Sequence, residues 1–173
     1  MMNTQLIHRA AFVVRCAAAA TVAWELASSL TLSEPGWAAI SALIVSQDRL
    51  NDTQSVLKGR LLGTLLGIAV TLAVNQVASR VAVPIAVQIA VAVVISALIT
   101  RDFPKMRVAM WTGPIILLTA QSSEPIAAVA LHRGSEVVLG AMVGAGFHWC
   151  AQILVDAVTR APHATRLVEA REP

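Results

Sequence analysis

Hydrophobic and polar positions along this chain do not alternate; they separate into long apolar runs divided by short polar breaks. The runs are Val14 to Leu32, Gly36 to Gln47, Leu61 to Ser79, Val81 to Ile99, Val108 to Gln121 and Gly134 to Asp156. A hydrocarbon core of about 30 Å takes roughly 20 helical residues at about 1.5 Å each, so the first, third, fourth and sixth runs have crossing length. The second and fifth are short. Counted together, the runs predict an all-α polytopic membrane protein of six transmembrane helices. Pro84 falls in the first turn of the fourth run, where a missing N–H is harmless, whereas Gly113-Pro114 sits inside the fifth and predicts a kink or break. A membrane domain over 10–156 is followed by a polar tail, 157–173, too short to bury a core and expected to be a mobile cytoplasmic end.

Composition agrees with the pattern. With 57% hydrophobic and 13% charged residues and a mean hydropathy of +0.71, polar side chains are too few to cover the apolar surface, so membrane lipids are the expected surroundings. The net charge of +3 invites a nucleic-acid reading, but aromatic residues are 4% and no basic stripe interleaves with them, which excludes it. Cys16 and Cys150 lie within apolar runs and read as packed thiols, with no spacing suited to a metal. Arg9 and Arg15 ahead of "CAAAATVAW" imitate a signal peptide, yet Trp24 and Glu25 interrupt the small-residue cleavage site; an uncleaved first helix is expected.

Basic residues set the orientation, since Lys and Arg gather on the cytoplasmic side. With the N-terminus inside, the inner segments hold eleven of the thirteen, and the outer ones hold Arg80 and Arg133. Both termini are therefore expected to be cytoplasmic.

The two short runs echo each other. "WAAISALIVSQ" at Trp37 and "WTGPIILLTAQ" at Trp111 share Trp, Leu and Gln at one spacing, seventy-four positions apart; "RLLGTLLG" at Arg60 and "RGSEVVLG" at Arg133 follow at nearly the same offset. Chance similarity between apolar helices is the alternative. A true repeat of three spans, being odd in number, enters the membrane from opposite sides and makes an inverted pair. Short or Gly/Pro-interrupted spans at corresponding places in such a pair point to a substrate site near the midplane.

Candidate residues follow from that expectation. Arg60 and Arg133 each open the third helix of a repeat and would stand at opposite mouths of one pathway, with planar forks suited to a carboxylate; snorkelling or orientation is the plainer role. Trp37 and Trp111 form either an aromatic wall for a ring-shaped substrate or interface anchors. Gln47 and Gln121 hydrogen-bond either substrate or broken helix backbone. Gly59, Gly63 and Gly67, echoed by Gly140 and Gly144, recur on one helical face and suit close packing in lipid. Glu25, near the middle of the first span, and His148, inside the sixth, are candidates for proton coupling, with structural pairing as the alternative. Glu136 reads as a helix N-terminal acid. No HExxH, GxSxG or paired inward carboxylates occur, so no enzyme, cofactor or metal is expected.

At "PGWAAISALIVSQDRLNDTQSVLKGRLLGTLLGIAV" the chain resembles the fusaric acid resistance and aromatic acid exporter (FUSC) superfamily, the integral membrane bound transporter domain. Arg60, Gly63, Thr64 and Gly67 carry the likeness, with a weaker copy at "RGSEVVLG". The resemblance covers most of residues 10–155. It implies a bacterial inner-membrane component exporting aromatic carboxylates or related small organic anions, with export coupled to protons as one option, and plant aluminium-activated malate channels as distant relatives. The large soluble domain of bigger members is missing, which implies a homodimer or other homo-oligomer, or a further subunit. A passive organic-anion channel and a non-transporting membrane subunit are the alternatives.

Overall fold

The computed structural model describes the backbone of residues 4–46, 50–120 and 124–169, and side chains within 9–46, 52–120 and 124–154. Every regular element among them is helical: α1 (Thr4–Ser29), α2 (Pro35–Val45), α3 (Leu50–Val81), α4 (Ile85–Thr100), α5 (Ala109–Thr119) and α6 (Ile126–Glu169), with a 3-10 turn at Pro104–Met106. Among the described residues three stretches are long and apolar enough to cross a membrane, Arg9–Ser29, Asp52–Val81 and Ile126–Leu154. The protein is a multi-pass membrane protein.

Several boundaries differ from the apolar runs for one reason. A helix continues wherever its backbone bonds are made, whether or not its side chains are apolar, so α3 begins well before Leu61 and α6 well before Gly134. Glu136 consequently stands three turns inside α6, not at a helix start. The helix also continues past Asp156 to Glu169, so the expected tail is helical as far as that residue. Pro84 precedes α4 as its N-cap, so the fourth run, expected to have crossing length, forms a helix of 16 residues that is shorter than the three above. Pro114 does not break α5, which runs unbroken through it. The proline removes one internal bond, and neighbouring helices in a bundle make that tolerable.

The helices pack in two groups. α1, α2 and α6 pack on one another, as do α4, α5 and α3, and α3 against α6 joins the groups. Exchanging α1, α2 and α3 for α4, α5 and α6 maps each of these pairings onto another of them. Small residues make the closest approaches. A Cβ on Gly67 would stand 2.7 Å from Cβ of Thr112 in α5, and one on Gly140 would strike the carbonyl of Ala38 in α2. Thr112 and Ala38 are themselves seventy-four positions apart, so the two contacts correspond. Ala19, Ala23 and Ala27, one face of α1, meet Ala38 and Ala42 of α2 in a core of alanines, the small-residue packing expected where lipid gives no hydrophobic drive between helices. Polar side chains inside the helices bond locally: Thr71, Thr100 and Thr112 each donate to the carbonyl four residues back.

Candidate functional site

Trp37, Arg60, Trp111 and Arg133 come from α2, α3, α5 and α6, and all four line one cavity of about 10 Å³, closed further by Thr64, Thr112, Ile115 and Val137. The sequence expectation of arginines at opposite mouths is corrected here: both arginines line the same interior space. Their helices explain it. α3 and α6 pack against each other, and both arginines reach α2, Arg60 through Ser41 and Arg133 through Trp37.

Arg60 is 4% exposed and donates from Nε to Ser41 Oγ at 3.4 Å, while that hydroxyl donates to the carbonyl of Val137 at 3.0 Å. One serine of α2 thus links α3 to α6. Arg133 is 7% exposed, its guanidinium carbon 3.7 Å from the centroid of the Trp37 ring. A stack at this distance is cation–π and planar contact together, and it fixes the plane of the fork. Glu136, one turn along α6 and 2% exposed, brings Oε2 to 3.6 Å from Nη1 of Arg133 and accepts the backbone N–H of Glu34 on Oε1 at 2.7 Å. That carboxylate therefore ties the start of α2 to α6.

Charge and hydrogen bonding do not balance here. Around this cavity stand two buried cations, and a single buried carboxylate is their near neighbour. Among the described residues Nη1 of Arg133 finds no hydrogen-bond acceptor, and Thr64 Oγ1 has no partner either. Buried donors without acceptors are uncommon. Both belong to residues lining this space, and both are of the kind an anionic ligand satisfies. Trp111 is 52% exposed, so its indole is the lateral wall.

A second cavity, of about 30 Å³, lies beside the first and is lined by Ser33, Glu34, Glu124, His132, Arg133 and Glu136 among others. Arg133 borders both.

The remaining candidates stand elsewhere. Gln47 and Gln121 lie outside the described residues. Glu25 is exposed, one turn from the end of α1 instead of mid-span, and lines neither cavity. His148 is fully buried, with Nδ1 2.6 Å from Thr53 Oγ1 across α6 and α3, and lines neither cavity. Gly63, Gly67, Gly140 and Gly144 are packing positions, and Gly59 packs on Lys105 of the turn. Among the described residues no group of acids, histidines and cysteines is suited to a metal. Glu136 is the residue whose place sequence reasoning misread. Its signal was the Arg133–Glu136 spacing of three at the edge of an apolar run, the spacing of an ion pair on one helix.

The family model described as fusaric acid resistance protein-like matches residues 9–147. The chain belongs to the fusaric acid resistance protein-like family. That match takes in Trp37, Arg60, Trp111, Arg133 and Glu136, so the whole cavity falls within the family's region. No curated protein and no solved structure matches the chain.

Proposed function

We propose that this member of the fusaric acid resistance protein-like family transports small organic anions, aromatic carboxylates foremost, and binds them between Arg60 and Arg133 with the indoles of Trp37 and Trp111 at either side. One observation carries the reading: two buried guanidiniums and two indoles from four helices converge on one space, with donor capacity left unused. A carboxylate matches the forks and an aromatic ring matches the indoles. The cavity admits no more than about one water, so this is a closed state and transport requires helix movement.

The same reading takes the six helices as six spans in two inverted repeats. The exchange relation among helix pairs supports it, as does the correspondence of Gly67 with Gly140. Setting aside the two cavity arginines, the basic residues divide ten to one in favour of the side holding both termini, which supports cytoplasmic ends in a bacterial inner membrane. A homo-oligomer belongs to this proposal, and native mass in detergent tests it.

Proteoliposomes holding the purified chain should accumulate 4-hydroxybenzoate under a pH gradient, and Arg60→Ala should suppress that uptake. Equal flux into empty liposomes overturns the proposal. Flux that follows voltage and ignores pH identifies a passive channel instead.

A further inference from the structure

Arg133 is the partition between the two cavities, and Glu136 holds it from one side. The outer of the two spaces presents Glu136, Glu34, Glu124 and His132; the inner presents Arg60, Trp37 and Trp111. At 3.6 Å, Glu136 Oε2 compensates the charge of Arg133 without making a hydrogen bond to Nη1, which is left with no acceptor among the described residues. The pair is electrostatically closed but geometrically open. A carboxylate arriving in the plane of the fork would supply the bond that Glu136 does not make.

Resting on the anion-site reading above, we propose that Glu136 is a tethered stand-in for the substrate's carboxylate, that the two compete for Arg133, and that Glu136 takes up one proton when the substrate displaces it. The balance is simple. The Arg133 cation paired with the Glu136 anion, plus one substrate anion and one proton from water, becomes the Arg133 cation paired with the substrate and a neutral Glu136 carboxyl. The net charge of the site is unchanged, and the new bond is the O–H of Glu136.

The physical reason lies in burial. A carboxylate that is 2% exposed is tolerable beside a cation and costly once that cation is engaged elsewhere, so neutralisation accompanies displacement. Among the described residues Arg133 is the cation in ion-pair contact with Glu136. Glu34, before α2, and Glu124, before α6, are exposed acids that add negative charge. His132 shares the outer cavity from α6, and Arg60 of α3 faces the inner one. α5 contributes Ile115, Ile116 and Thr119, which do not carry charge. Glu25 of α1 lines neither space. Carboxylate exchange on one guanidinium thus becomes a means of coupling one anion to one proton.

The test uses the purified full chain in detergent with benzoate as the probe. Benzoate is wholly ionised near neutral pH, so any proton taken up on binding belongs to the protein. Tryptophan fluorescence reads binding, and an indicator dye in weakly buffered solution reads protons. The wild type should take up one proton per benzoate, with affinity weakening about tenfold for each unit of rising pH in that range. Glu136→Gln should bind more tightly at neutral pH, take up no proton and lose the pH dependence, while Glu136→Asp keeps the uptake.

Benzoate binding to the wild type without proton uptake overturns the proposal and leaves the anion site standing. Undiminished uptake in Glu136→Gln overturns it too, because the proton then goes elsewhere. No benzoate binding by the wild type overturns the anion-site reading itself. The wild-type measurement needs no variant to fold.

Discussion

The Arg133 guanidinium stacks on the Trp37 ring at 3.7 Å although the two residues are ninety-six positions apart, on α6 and α2. The stack does two things at once: it compensates part of the cost of burying a guanidinium, and it holds Arg133 against a second residue that lines the same cavity. Trp37→Ala should therefore weaken benzoate binding by about 2- to 30-fold, the worth of a partly desolvated cation–π contact of about 0.5–2 kcal/mol. Trp37→Phe keeps a ring face and should cost less. Calorimetric titration in detergent checks both, and equal losses for the two variants would show that ring size, not the stack, matters.

Close backbone approach makes a second expectation sharp. A Cβ on Gly140 meets the carbonyl of Ala38, whereas a Cβ on Gly146, less than two turns further along α6, meets nothing within 4 Å. Gly140→Ala should destabilise the chain by about 1–3 kcal/mol through overpacking of α2 on α6. Gly146→Ala should be neutral or stabilising by up to about 1 kcal/mol, since alanine is the better helix former. Thermal unfolding in one detergent measures the contrast, and similar melting shifts for both would refute the packing account.

The helices were legible because apolar runs in a membrane protein are long and the backbone must satisfy itself within them. The four candidates Trp37, Arg60, Trp111 and Arg133 were legible as types, two rings and two forks at echoing positions. Their convergence was not, because it depends on α2 packing against α6 and α5 against α3, and nothing local in "WAAISALIVSQ" specifies a partner so far along the chain. Glu136 was misread for a related reason. The apolar run starts at Gly134, which makes the acid look like a helix beginning; the helix starts at Ile126, which makes it a buried counter-ion.

Two helix ends carry a strain that sequence reading had no means to find. α1 closes with Thr31 at φ 54 and the N–H of Leu32 bonded to the carbonyl of Ala27, and past the end of α3 Ala82 sits at φ 48 with the N–H of Val83 bonded to Ala78. Both are left-handed closures made without glycine. For Ala82→Gly the relief of about 1–2 kcal/mol of steric cost exceeds the added chain entropy of about 0.5–1 kcal/mol. The variant should melt higher by the equivalent of about 0.5–1 kcal/mol. A lower melting temperature would mean that the Ala82 methyl makes a contact worth more than the strain.

Thr53 and His148 offer the means of separating structure from coupling. Their 2.6 Å contact joins the beginning of α3 to the middle of α6, away from both cavities. Thr53→Val preserves shape and removes the hydroxyl, so the buried ring loses that partner at a cost of about 1–3 kcal/mol. If His148 is a packing residue, Thr53→Val lowers the melting temperature while the pH dependence of benzoate binding stays where the wild type has it. If instead the histidine carries the proton, changing its partner moves the midpoint of that dependence, and the assignment to Glu136 fails. The two measurements are independent, so a destabilised but unshifted protein is the decisive outcome.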